Sequence, residues 1–140
     1  MIEEAYVSFE TAKLLKEKGF DEHCSHCYCN DWLSKDINLE NIPINHYGIG
    51  ALSNTSLTSY NGVHWEYISA PTQAMAMAWL RKRKNIDIFP WLINKDFEGN
   101  LTYSVSIYNH GCEMDIPRFY DENYENLIEE ALKYTLKNMI

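Results

Sequence analysis

The sequence predicts an α+β fold, a small antiparallel sheet with about three helices packed on it, in the order helix, strand, helix, two strands, helix. Three observations carry this prediction. Amphipathic helical stretches stand near both ends and in the middle; the alternating "VHWEYIS" has the two-residue period of a strand; and the β-rich runs "IDIFPWLIN" and "LTYSVSIYN" flank the polar connection "KDFEGN". The 140 residues match the usual size of one domain, so 1–140 is read as a single domain able to build a core without disulfides or metal. An apolar fraction of 46% and an aromatic fraction of 14%, with ten Tyr and four Trp, set the chain apart from disordered sequences.

The first helix is signalled by Ser8, a good N-cap, followed by "FETAKLLKEKG". Phe9, Ala12 and Leu14 or Leu15 form its apolar stripe, Lys16 and Lys18 suit its negative end, and Gly19 supplies the stop. From Phe20 to about Asn61 the pattern breaks up, and scattered Asn, Ser, Gly and Pro read as long loops with short extended pieces at Ile42 to Tyr47 and Leu57 to Tyr60. Asn61-Gly62 favours a tight turn into a strand with Val63, Trp65 and Tyr67 on one face.

"APTQAMAMAWLRKRKN" reads as the second helix, with Pro71 near its first position and Gln73 reaching back as part of a cap. Met75, Ala78, Trp79 and Lys82 lie along one side, with Ala76 and Leu80 beside them. The two β-rich runs then form a hairpin, in which Pro90, lacking an N–H, places its strand at a sheet edge or at a bulge. After the loop "HGCEMDIPRFYDEN", Tyr124, Leu127, Ile128, Ala131, Thr135 and Met139 share one face of the last helix.

Three of these segments, "AYVSFETAKLLKEKGFDE", "APTQAMAMAWLRKRKNIDI" and "YENLIEEALKYTLKNMI", together resemble a family of short uncharacterised proteins encoded by prophages and related mobile elements of gut-dwelling anaerobes. The resemblance covers the two ends and the second helix; Cys24 to Gly62 diverges most. It implies kinship of scaffold and assigns no activity, cofactor or catalytic residue to any position.

A net charge of −8 favours solubility and disfavours nucleic acid as a partner, since phosphates repel an acidic surface. The start "MIEEAYVSFE" lacks the cations and apolar run of a signal peptide, and no segment approaches the roughly 18 apolar residues of a membrane span, so a cytoplasmic protein with no membrane contact is expected. In that compartment clustered cysteines are metal ligands, catalytic groups or bystanders rather than disulfides.

The densest chemistry lies in "HCSHCYC", residues 23–29. Cys24 and Cys27 have the two-residue spacing that lets two thiolates converge on zinc, and His23, His26 or Cys29 could add a third ligand. His110 and Cys112 in "NHGC" are the candidate second half-site, although H-x-C over eighty residues away is unlike the paired half-sites of zinc modules. The plainer alternative is a polar loop that contains Cys and His. A dithiol redox centre at Cys24 and Cys27 would need a strand before it and a helix after it, whereas here a helix ends before it and "YCNDWLSKD" follows. Cys112 with His110, Glu113 and Asp115 lacks the surrounding signature of a nucleophile pair, and His46 and His64 alternate onto solvent faces.

The run Arg81-Lys82-Arg83-Lys84 could contact phosphates with Trp79 or Trp91 stacking nearby, but cations in a last helical turn also complement the dipole. Asp121, Glu122, Glu125, Glu129 and Glu130 could mimic nucleic-acid phosphates, or simply populate the first turns of a helix. Phosphate-loop, dinucleotide-binding, zinc-protease and serine-hydrolase motifs are absent. Finally, Tyr60, Trp65, Tyr67, Trp91, Tyr103 and Tyr108 fall on strands where alternation would expose one aromatic face, the mark of a partner-binding surface or a homodimer seam. The sequence thus points to a non-enzymatic protein that binds a protein partner or itself, with a zinc domain or a nucleic-acid-directed protein as alternatives.

Overall fold

The computed structural model describes residues 4–31, 37–41, 55–58, 64–95 and 97–140. It is α+β, with three helices and two small antiparallel sheets. By contacts the chain falls into two compact units, Tyr6–Pro71 and a second formed by Met1–Ala5 with Thr72–Ile140. Among the described residues no helix is long and apolar enough to cross a membrane.

In the unit Tyr6–Pro71, helix α1 spans Phe9–Glu17. The expected caps form at both ends. Ser8 Oγ accepts from the Thr11 amide at 3.3 Å, satisfying a donor that the first turn leaves without a helical acceptor. At the other end Gly19 takes φ 93°, its N–H reaches Lys16 O at 3.1 Å, and the Phe20 N–H reaches Leu15 O at 2.9 Å. This double closure needs a left-handed residue, which glycine provides without steric cost. It also turns Phe20 inward, where it is buried with Leu15.

Strands β1 (His26–Asp31), β2 (Ile37–Asn41), β3 (Thr55–Thr58) and β4 (His64–Ser69) form an antiparallel sheet in the order β2-β1-β4-β3. Here the loop expectation fails. Residues 26–31 and 37–41 are strands, and the "HCSHCYC" stretch runs into the central strand β1. The physical reason is that buried cysteine packs as a small apolar residue: with Cys27 and Cys29 counted as apolar, His26 to Cys29 alternates with a period of two. On the other face of β1, Tyr28 donates its hydroxyl to Val7 O at 2.6 Å and meets the Phe9 ring edge-on at 5.5 Å, fixing the start of α1 to the sheet. β4 falls where the alternation placed it, and β3 overlaps the expected piece at Leu57. Residues 42–47, Tyr60 and the Asn61-Gly62 turn lie outside the described residues.

In the second unit, α2 spans Gln73–Lys84, β5 Ile86–Lys95, β6 Leu101–Asn109, β7 Cys112–Glu113, β8 Tyr120–Asp121 and α3 Tyr124–Asn138. The expected hairpin is β5–β6, with Ile88 opposite Ile107 and Pro90 opposite Val105. β6 is central, pairing β5 along its length and β7 and β8 on its other side. Pro90 therefore sits on an edge strand, and the register shifts between Leu92 and Asn94. Ile86, Ile88, Val105 and Ile107 are buried on this sheet, with Ala76 and Leu80 of α2 and Leu127, Ile128, Ala131, Leu132 and Leu136 of α3. The two helices pack on each other, α2 on β5 and α3 on both long strands.

Two details of α2 differ from expectation. Its N-cap is Thr72, whose hydroxyl accepts from the Met75 amide at 3.1 Å, so Pro71 precedes the cap. Gln73 does not reach back; it is buried, and its Nε2 donates to Glu125 O at 2.9 Å, tying α2 to α3. The inward face is accordingly Gln73, Ala76, Trp79 and Leu80, while Met75 turns outward. On α3, Asn123 caps by accepting from the Asn126 amide at 3.0 Å, and Leu132 and Leu136 join the expected stripe while Tyr124 is exposed.

Ile107 is fully buried and Phe97 fully exposed, so Ile107→Ala should lower stability by about 2–5 kcal/mol whereas Phe97→Ala stays within about 0.5 kcal/mol. Urea denaturation of the two variants checks this contrast.

Candidate interaction surface

The β5–β6 hairpin is two-faced along its length and changes character at its middle. In its first half the alternation is regular, with Ile86 and Ile88 buried and Asp87 and Phe89 exposed. Beyond Pro90 every residue of β5 is exposed, including Trp91 (43%), Leu92 (51%) and Ile93 (42%), and Phe97 in the turn is wholly so. The sequence places six apolar residues in a row, Ile88-Phe89-Pro90-Trp91-Leu92-Ile93. A strand sends successive side chains to opposite faces, so a helix-covered sheet cannot bury all of such a run.

Register fixes which way these side chains go. Trp91 pairs with Ser104 and Phe89 with Ser106, on the face opposite the one that carries Ile88 and Ile107. The Trp91 indole Nε1 donates to Ser106 Oγ at 3.2 Å, which anchors the polar edge of the ring on β6. Ser104 is buried and donates to Phe119 O at 2.8 Å, holding the chain that leads into β8. Between this face and residues 113–118 lies a cavity of about 380 Å³ whose walls include Trp91, Ile93, Met114, Ile116 and Tyr120, with Glu113, Asp115 and Arg118 also along it. Tyr120, on β8, is itself exposed. Exposed apolar side chains are thus concentrated on β5, its turn and β8, the pattern of a surface that binds another molecule.

The expected aromatic face is only partly realised. Trp91 is exposed, Tyr103 and Tyr108 are half-buried, and Tyr67 is buried; Tyr60 and the Trp65 side chain lie outside the described residues. Leu92, Ile93, Phe97 and Tyr120 were not singled out by the sequence, though the unbroken apolar run across Pro90 was a signal for the first two.

The cysteine-histidine candidates are distributed as follows. Cys27 and Cys29 leave one face of β1, shared with their cross-strand neighbours Ser69 and Tyr67. The Ser69 hydroxyl bonds the Cys24 thiol, which also lies 3.5 Å from Glu22 O, so Cys24, Cys27 and Cys29 are gathered on that face. All three are buried. His26 points to the opposite face, its ring 4.1 Å from that of Tyr6, and His23 is exposed. His110 and Cys112 belong to the other unit. There, His110 (φ 51°) and Gly111 (φ 81°) are both left-handed, and Asn109 pairs with Cys112, so "NHGC" is the two-residue turn joining β6 to β7. His110 Nδ1 lies 2.6 Å from Asn109 Oδ1. Among the described residues no three His, Cys, Asp or Glu side chains converge as a metal site requires. His46 and the side chain of His64 lie outside the described residues.

The charged runs have local roles. Arg81 to Lys84 occupy the last turn of α2, capped by left-handed Asn85. Lys84 Nζ stands 5.5 Å from the centre of the Trp79 ring, and Arg81 lies 4.0 Å from Asp87 with both side chains half exposed. Of the acids, Glu129 Oε1 accepts from Gln73 Nε2 at 3.4 Å, and Asp121 Oδ1 accepts from the Asn123 amide at 2.8 Å.

Compared with protein-family models, with curated proteins and with solved structures, the chain has no match.

Burial raises the Cys24 thiol from 9.0 to about 11; the Ser69 hydroxyl opposes the rise and the Glu22 charge adds to it. The folded state therefore holds the neutral thiol, and the stability this contributes is complete below pH 9 and is lost as pH rises from 9 to about 11. The fall in urea-measured stability across that interval should be smaller in Cys24→Ala than in the parent chain. In the native protein at pH 8 a thiol reagent should modify the exposed Cys112 rapidly and the three buried thiols only after denaturant is added; mass spectrometry of the labelled peptides checks the order.

Proposed function

We propose that the chain works without catalysing a reaction, by binding a macromolecular partner through the apolar outer half of β5 and the adjoining turn. The observation that carries this reading is the concentration of Phe89, Trp91, Leu92, Ile93 and Phe97, each exposed, within nine consecutive positions of one hairpin. Exposed apolar surface costs free energy in water, about 25 cal/mol per Å², and a partner that covers it recovers that cost. Three of these side chains, Phe89, Trp91 and Phe97, are aromatic residues of the kind enriched in protein interfaces, and Trp91 is already oriented by its bond to Ser106.

A protein partner fits better than a nucleic acid. Positions 88–94 carry no charged residue, the whole chain has a net charge of −8, and its cationic run lies at the end of α2. The residues with chemical potential are also occupied structurally: His110 in a turn, and Cys24, Cys27 and Cys29 inside the first unit. A binding role accords with the mobile-element kinship that the sequence suggests, since small proteins of such elements can act on larger machinery simply by occupying a surface.

Replacing Trp91 and Ile93 together by Ser should reduce capture of the bound protein at least tenfold while leaving the melting temperature within a few degrees, because both side chains are outside the core. Affinity capture from the expressing cell, quantified for the parent chain and the double variant side by side, measures this. Identical capture by the two would overturn the reading.

A further inference from the structure

We infer that the partner anchors on this surface through an arginine side chain, received in the cavity between the sheet and residues 113–118. The inference rests on the binding role proposed above and names the chemistry of the group that is bound.

Register builds the cavity. Trp91 of β5, Ser104 of β6 and Tyr120 of β8 stand in one row across three neighbouring strands, each opposite the next. Residues directly opposed in an antiparallel pair leave the same face, here the face away from Ile88 and Ile107. With strands ~4.8 Å apart, the two aromatic residues are separated by about 10 Å, and only a serine side chain lies between them. That floor is closed, because Ser104 is buried and its hydroxyl is committed to Phe119 O. The Trp91 indole N–H is likewise committed to Ser106, so what this residue offers the cavity is ring surface. The space of about 380 Å³ is at the small end of ligand pockets, which hold ~300–1,000 Å³. It suits a side chain and excludes a helix, whose diameter is ~10 Å or more.

Charge selects the occupant. Glu113 stands opposite Tyr108, which leaves β6 on the same face as Ser106 and Ser104. With Asp115 it gives the wall two carboxylates against the single guanidinium of Arg118. Both acids are exposed, and among the described residues neither is ion-paired, so both are open to a ligand. Arginine satisfies the two kinds of wall together: its flat guanidinium stacks on an aromatic ring while its fork of N–H groups pairs a carboxylate. A lysine ammonium is a more strongly hydrated point charge and stacks less well. An anionic group would meet two like charges, and an apolar one would leave both acids without a partner.

Titration of the whole chain with a blocked pentapeptide, one arginine flanked by glycines, tests this by two-dimensional NMR. The expected result is a millimolar or tighter dissociation constant. The Trp91 indole N–H signal, identified by its loss in Trp91→Ser, should move together with the amides of Ser104 and Tyr120. The same peptide with leucine in place of arginine should bind at least tenfold more weakly, and with lysine several-fold more weakly. Glu113→Gln and Asp115→Asn in one chain should weaken the arginine peptide at least tenfold, as should Tyr120→Ser, an independent probe in case the first variant is poorly folded. A Trp91 signal unmoved at about 10 mM arginine peptide overturns the inference. So does an equal response to the leucine peptide, tighter binding of a glutamate peptide, or binding indifferent to both the acid pair and Tyr120. The binding role is judged separately: it stands as long as the chain with Trp91 and Ile93 both changed to Ser loses capture of the partner protein.

Discussion

The pairing of β6 with β5 is the constraint on which the second unit depends. Among the described residues β6 is the only strand of this unit with neighbours on both sides, and its register sets three things together. It places Val105 and Ile107 in the core, where α3 packs on β6. It places Ser104 and Ser106 on the opposite face, where one holds the chain entering β8 and the other holds the indole of Trp91. It also sets the ends of the hairpin, so that left-handed Asn85 ends α2 as β5 begins, and the His110-Gly111 turn follows β6. A slip of one residue would send Ile107 outward and Ser106 inward, exchanging a core for an unsatisfied hydroxyl.

The same register explains why the hairpin has a wet end. Helix α2 supplies its short residues, Ala76 among them, and its Leu80 to the sheet, and α3 supplies a full stripe from Leu127 to Leu136. That cover is spent on Ile86, Ile88, Val105 and Ile107. Past Pro90 the strand continues in apolar sequence with every residue exposed, and its pairing with β6 shifts between Leu92 and Asn94. The surface proposed to bind a partner is therefore the continuation of a core strand beyond its cover. Stability and binding draw on different halves of one element, which is why residues of the outer half can be substituted without touching the core.

The first unit shows how strand geometry distributes a cluster of Cys and His. Clustered Cys and His suggest metal chemistry because thiolate and imidazole are good ligands at close spacing. Strand geometry separates them: His26 goes to the face of Tyr6 and Tyr28, while Cys27 and Cys29 go to the other, with Cys24 held there by Ser69. Burial keeps the Cys24 thiol neutral at ordinary pH, and a neutral thiol is a compact apolar group. The stretch contributes to a sheet interior, and its period of two is visible only when cysteine is read as apolar.

What the sequence by itself determined are the features written in neighbouring residues. The caps of α1, the stripe of α3, the β5–β6 hairpin and the edge position of Pro90 are each fixed by local steric and hydrogen-bonding rules acting over a few positions, and the α+β class follows from their order. Tertiary structure alone decided the rest. Whether residues 26–31 formed a loop or a central strand depended on β2 and β4, which are remote in sequence. Whether Gln73 capped its own helix or crossed to Glu125 depended on α3 being alongside. Whether Trp91, Leu92 and Ile93 belonged to a core or to a surface depended on where the cover of α2 and α3 ends. Burial is a property of what lies on the other side of a residue, and that neighbour is brought there by folding.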